Sequence, residues 1–305
     1  MASGEINLLA YPLGDPGRKT KKVGGSTTVN ATSGRSCVPV GRHERARTHP
    51  GTAVISLAGW ARAIRAHHKL TRRQAERVTG ISSDYLKNIE TGIRPSLEYL
   101  ENLIAGYRLD DAQARLTWDL WRPPLPLPPV EQLREQITTP DRLELLTRLD
   151  RAGIAIAYLD PLWNILAANT TFQQTFPDAG ANTEGNFALW ALPPAPRHSP
   201  TASVMLEPGR EAQFLVGMLR GGFGRYRRSP QVCSLYRQLT RNDAFNYHWH
   251  KGIHVAHGRD LQQPLRLRNP TTLQQYTLDL QITELTDFPA VRGFTAWPPP
   301  QLGKP

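Results

Sequence analysis

The chain has 305 residues, with 37 Lys+Arg against 26 Asp+Glu, a net charge of +11 and a pI near 10.0. That is length for two domains and a tail, and enough positive charge to attract polyanions without implying any sequence preference. Cys37 and Cys233 stand in different segments with no CxxC pair, the apolar runs fall short of the roughly 20 residues a membrane helix needs, and the N-terminus lacks a signal peptide's apolar core. No disulfide framework or zinc knuckle is suggested, and a soluble protein of the reducing cytoplasm is expected.

Residues 1–54 are rich in Gly, Ser, Thr and Arg with no apolar period, so they read as a flexible basic arm. Such an arm can follow phosphates or enter a minor groove, although an uninvolved tail is the plainer reading. No second Met precedes Met205, which leaves open a true start near Val54.

Helical periodicity begins with Leu57 to His68 and continues into LTRRQAERVTGISSDYLKNIETG, residues 70–92. Thr71 and Gln74 have the spacing of a capping box, Gly80 supplies a turn, and Ser82 caps a second helix. Ala75, Val78, Ile81, Leu86 and Ile89 fall where the two helices would face each other. Ser83, Asp84, Tyr85, Lys87 and Asn88 are left outward on the second helix, which is the arrangement of a helix-turn-helix DNA reader. Two further helices, Ser96 to Tyr107 and Asp110 to Trp121, complete a five-helix domain over 55–121. The run RPPLPLPP at 122–129 cannot continue a helix and reads as a short, semi-rigid linker where domain orientation can change.

The second domain, 130–300, opens with one helix from Val130 to Arg151. A hairpin follows, Ile154 to Asp160 and Trp163 to Asn169, turning at Asp160-Pro161, and Asn169 caps a helix through Phe176. After a Pro-rich loop at 192–200 come helices at 210–225 and 230–240. Three alternating runs, PLRLRN, TLQQYTLDLQITEL and VRGFTAW, then read as antiparallel strands. The expected class is α+β: a helical reader followed by a curved antiparallel sheet with helices on one side, a natural container for a small molecule.

Pocket-lining candidates are Tyr158, Trp163, Phe172, Phe176, Phe187, Phe214, Met218 and Trp249, with Trp190, Phe223 and Phe294 also in the aromatic set. Most such side chains in any domain of this size are plain core. An arginine near the mouth, Arg225, Arg227 or Arg228, has the chemistry to pair a carboxylate head group. His248, His250, His254 and His257 raise the rival reading of a metal-dependent enzyme, since 250, 254 and 257 share a face if that segment is helical. Gly252 and Gly258 weaken a helix there, no HExxH exists, and Ile253 and Val255 look like core. No Walker loop, nucleophile elbow or dinucleotide turn is present, and the glycines of LRGGFGRY, 219–226, lie at a helix end rather than after a strand. Neither a catalytic residue, a bound metal nor a cofactor is expected.

The 70–92 stretch resembles the Cro/CI-type, xenobiotic-response-element family of repressor domains, carried by Leu70, Thr71, Ala75, Gly80, Ile81, Ser82, Ile89, Glu90 and Gly92. The segments LDPLWNILAANTTF, NFALWAL, EAQFLVGMLRGGFGRY, FNYHWHKGIHV and RLRNPTTLQQYTLDLQITEL resemble the PAS-like ligand-binding domain of MmyB-like transcription regulators. Together the resemblances imply a sequence-specific, double-stranded-DNA-binding regulator, nucleoid-associated, whose second domain senses a small, largely apolar, fatty-acid-like ligand. They imply DNA contacts from Arg72, Arg73, Ser83, Asp84, Tyr85, Lys87, Asn88 and Arg94. Arg72, Asn88 and Arg94 would hold phosphate, Lys87 would suit a guanine edge, Asp84 a cytosine amino group and Tyr85 a thymine methyl. A homodimer on half-sites one turn apart is the expected route to affinity. The alternative to ligand sensing is a constitutive adaptor whose second domain binds a protein.

Overall fold

A computed structural model describes residues 54–180, 185–193, 200–259 and 261–299. The arm expected at 1–54 thus lies outside the described residues except for Val54.

The reader is built from α1 (Leu57–His67), α2 (Arg72–Thr79), α3 (Ser83–Thr91), α4 (Leu97–Gly106) and α5 (Asp111–Trp121). Each begins at a side chain that takes an otherwise unpaired backbone N–H: Ser56, Thr71, Ser82, Ser96 and Asp110. Thr71 with Gln74, and Asp110 with Gln113, form full capping boxes, each cap contributing on the order of 1 kcal/mol. Gly80 (φ 67°) and Gly92 (φ 118°) end α2 and α3 in the left-handed region, where a side chain would be strained. Ala75, Ile81, Leu86 and Ile89 are buried as expected, but Val78 is 48% exposed. Thr79 takes the inward position instead, one full turn from Ala75, and its hydroxyl donates to the Ala75 carbonyl while accepting from the Ile81 N–H.

The single helix expected over 130–151 is two, α6 (Val130–Ile137) and α7 (Pro140–Arg151). Pro140 has no N–H to extend the first helix and pushes Thr139 into extended backbone, ψ 155°. After them come β1 (Ala155–Leu159), β2 (Ile165–Ala168), α8 (Thr170–Thr175), α9 (Phe187–Ala191), α10 (Pro200–Val204), α11 (Pro208–Arg225), α12 (Pro230–Leu239), α13 (Asp243–Lys251), β3 (Leu265–Arg268), β4 (Gln275–Glu284) and β5 (Arg292–Trp297). Cys233 on α12 is not a free thiol.

The five strands form one antiparallel sheet in the order β2-β1-β5-β4-β3. Asp160 makes the hairpin turn, its carboxylate accepting from the backbone N–H groups of Leu162 and Asn164 and from the Asn164 side chain. One face carries Ala157, Phe294 and Ile282 side by side and packs with α8, α9 and α11 into the main core. The opposite face is not bare. Ile156, Tyr158 and Leu166 are covered there by Leu133 and Ile137 of α6 and Leu146 of α7, so helices lie on both sides rather than one. Among the described residues no helix is long and apolar enough to cross a membrane.

Candidate DNA interface and ligand pocket

On α3 the side chains of Asp84, Lys87 and Asn88 are exposed, while Ser83 and Tyr85 are half-buried. Residues 84, 87 and 88 are spaced to share one outward stripe. Tyr85 instead leans on Tyr99 of α4, ring centres 4.6 Å apart. Arg73 is exposed on α2. Arg94, just past α3, lies 4.2 Å over the ring of Trp121, whose indole N–H donates to the Pro95 carbonyl.

The stripe is oriented by a residue whose part was not assigned from the sequence. The Glu90 side chain is 1% exposed and receives Arg65 through Nε at 2.5 Å and Arg72 through Nη2 at 2.8 Å, while Arg62 donates to its backbone carbonyl. Burial alone would raise the carboxyl's pKa, but hydrogen bonds from Arg65 and Arg72 outweigh it, and Glu90 is held below the usual carboxylate range. One carboxylate therefore clamps α1, α2 and α3 together. Arg72, expected as a phosphate anchor, has Nε and Nη2 committed to Glu90. The signal was the Ile89-Glu90 pair of the resembled motif, which carries no hint of the long-range partner Arg65.

In the second domain a cavity of about 20 Å³ lies between α9, α11 and the sheet, lined by Trp163, Phe187, Phe214, Leu215, Ile282 and Phe294 among others. That is room for about one water. Three of the expected lining residues, Trp163, Phe187 and Phe214, meet here. Phe172 and Phe176 stand behind them in a ring cluster with Phe187 and Phe294, at 5.0–5.9 Å between centres. Met218 is solid core. Tyr158 points to the other side of the sheet, because neighbouring strand residues alternate faces. Trp249 joins a separate stack with Phe223, Tyr236 and Phe245.

The wall also holds polar groups that sequence reading missed. Arg259 pairs with Glu211, Nη2 to Oε1 at 2.8 Å, with both side chains buried, and its guanidinium sits 4.9 Å over the Phe214 ring. Trp163 has a buried indole N–H without a hydrogen-bond partner. The arginines expected at the mouth are elsewhere. Arg227 donates to the carbonyls of Asp119, Leu120 and Arg122 at the end of α5, Arg225 faces a groove beside α5, and Arg228 is exposed.

The histidines follow the same logic of packing. Helix α13 stops at Lys251, so 250, 254 and 257 do not share a helical face. Buried Arg220 donates to the carbonyls of His248, Trp249 and His254, fixing the path out of the helix, and its own pKa falls to about 10 through burial. Burial, then the Arg220 charge, lowers the pKa of His248, His250 and His254. Burial and Arg115 lower that of His257 to about 4. No cluster of three His, Cys, Asp or Glu arranged to hold a metal occurs among the described residues.

The glycines of 217–224 serve close approach, not phosphate binding. A Cβ on Gly217 or Gly221 would stand 2.6 or 2.8 Å from the rings of His254 or His257, on Gly222 2.5 Å from the Pro161 carbonyl oxygen, and on Gly224 2.3 Å from Leu116. Through this seam the two domains touch. Ile253 and Val255 join the core of the reader, Gln113 donates to the Ile253 carbonyl, and Arg115 pairs with Glu284 at 2.6 Å. The 122–129 segment is pinned as well, Leu125 N–H to the Arg225 carbonyl and Leu127 N–H to the Ser229 hydroxyl. It is a strap along the second domain rather than a free spacer.

A helix-turn-helix domain model matches residues 56–116, and a model of the MmyB-like transcription regulator ligand binding domain matches residues 139–298. No match is found among curated proteins. With just over half of its length matched by that second model and a DNA-reading domain ahead of it, the chain belongs to the MmyB-like transcription regulators.

Proposed function

We propose that this regulator reads a specific operator through α3 as a homodimer, and that its second domain senses a small, largely apolar ligand. The observation that carries the reading is the outward stripe of Asp84, Lys87 and Asn88, held by the buried Glu90 clamp. Polar side chains on a helix fixed in orientation are what base-edge readout needs, and Lys87 and Asp84 supply the donor and the acceptor. Arg73 and Arg94 hold phosphate on either side. The protein acts where chromosomal DNA is, in the cytoplasm, and we assign it no catalytic step. Footprinting of the gene's own promoter region tests this reading. Protection of two half-sites spaced by about 10 base pairs is expected for a dimer, whereas featureless protection contradicts it.

Ligand sensing rests on an apolar cavity walled by Trp163, Phe187 and Phe214 with the Arg259–Glu211 pair at its edge. At about 20 Å³ the cavity must widen to admit a ligand, because drug-sized ligands fill roughly 300 Å³ or more. That widening would push on α11, whose far end carries Gly224 against Leu116 of the reader. Ligand and DNA would thereby favour different arrangements. The small cavity also suits the adaptor reading, in which the second domain docks a protein. Solvent extraction of the purified full chain followed by mass spectrometry separates them: a stoichiometric apolar molecule supports sensing, and its absence together with a co-purifying protein supports the adaptor.

A further inference from the structure

Beside the seam that joins the domains, a groove of about 750 Å³ runs between α5, the strap and the end of α11. It is separate from the apolar cavity. Its volume lies within the range of small-molecule sites, which favour domain junctions. Three of its features suit a ligand. The Oδ2 of Asp119 is buried without a hydrogen-bond partner, although natural proteins rarely leave a buried polar atom unpaired. Arg122 and Arg225 line the groove; both act on the Asp119 carboxylate through their charge and Arg225 stands 5.9 Å from the Tyr226 ring, yet among the described residues neither makes a direct ion pair, whereas Arg115 beside them is paired with Glu284. Trp118 is half-exposed on the groove wall, with the Arg122 guanidinium 5.5 Å from its ring, and the rings of Pro123 and Pro124 extend this flat apolar surface.

We propose that this groove is a second ligand site, which takes a planar aromatic molecule carrying an anionic group at one edge and an N–H donor at another. The ring lies on Trp118 and the prolines, the anion meets Arg122 and Arg225, and a turn of the Asp119 side chain brings its unpaired Oδ2, closed off from the empty groove, onto the donor. Both a free aromatic acid and a nucleotide have this chemistry, and they differ in how far the anion stands from the ring. Because α5 belongs to the reader and Arg225 to the sensing domain, an occupant touches both at once.

Titration calorimetry of the full-length protein with 2-aminobenzoate and, separately, with guanosine monophosphate tests the site. Saturable binding of at least one probe is expected, weakened about tenfold or more by Trp118→Ala, by Asp119→Ala and by Arg225→Gln, with Trp118→Phe retaining most of it. Preference for 2-aminobenzoate would identify the source as a free acid, and preference for the monophosphate as a nucleotide. Should Trp118→Ala fail to fold, Arg225→Gln, whose backbone contact to Leu125 is untouched, carries the test alone. The proposal is overturned if neither probe binds at up to about 10 mM, or if binding survives these substitutions unchanged.

Discussion

The side chain of Leu116 in the DNA reader lies directly on Gly224 of the second domain, so close that a Cβ there would stand 2.3 Å from its Cδ1. Leu116 is fully buried and sits in the reader's core together with Ile253 and Val255 of the second domain. The two domains therefore share packing, not merely a linker.

Truncating Leu116 is expected to cost about 2–5 kcal/mol, as for other buried leucines, and chemical denaturation should show one cooperative loss involving both domains. Within the glycine seam the neighbours differ. Gly222→Ala would press on the Pro161 backbone carbonyl, whereas Gly224→Ala meets only the end of a leucine side chain. Gly222→Ala is expected to lower the melting temperature more, and the reverse order would mean that the seam is looser than its geometry.

Glu90→Gln removes the charge on which Arg65 and Arg72 converge. A loss of about 1–3 kcal/mol is expected, with weaker binding to operator DNA because α3 is no longer fixed. Since the Glu90 pKa in the fold lies below its ordinary 4.5, the clamp contributes fully above that value and is lost as pH falls through the folded pKa. Acid titrations of stability should show a shallower decline below about pH 4.5 in Glu90→Gln than in the parent.

His257 acts in the same direction, in a window that opens at higher pH. Its pKa is about 4 in the fold against 6.5 when free, so the unfolded chain takes up the proton first and stability falls as pH drops from 6.5 towards 4. His257→Gln, which keeps a group able to reach the Ala112 carbonyl, should flatten that part of the profile in thermal melts. A parent profile already flat between those limits would contradict a buried, neutral imidazole at the junction.

Lys87→Ala should relax the base preference at one position by about 1–3 kcal/mol, while Arg73→Ala should weaken all sequences alike and reduce the salt slope by about one unit. Arg72→Ala should combine weaker binding with lower stability, because two of its nitrogens hold Glu90. Competition binding with a panel of single-base operator variants reads all three.

The Thr71–Gln74 capping box, the turn at Gly80 and the Asp160 turn were legible in sequence because each is chemistry between near neighbours. The features that decide the sites are between distant ones. Glu90 meets Arg65 across 25 residues, Arg259 meets Glu211 across 48, and Gln113 meets Ile253 across 140. Hydrophobicity marked Tyr158 and Trp163 alike as pocket candidates. Only the strand register shows that Tyr158 faces α6 and α7 while Trp163 reaches the cavity. The Val130–Arg151 periodicity likewise continued through Pro140, where the missing N–H was the sign of a break.

Fluorescence anisotropy of the full-length protein with duplexes from its own promoter region and scrambled controls, over a salt series, tests the central claim most directly. A preference for the promoter that persists as salt rises, and that Lys87→Ala diminishes, is the predicted result. Equal and equally salt-sensitive binding to both duplexes, unchanged in Lys87→Ala, would contradict a sequence-reading α3 and leave only the attraction of a basic protein for phosphate.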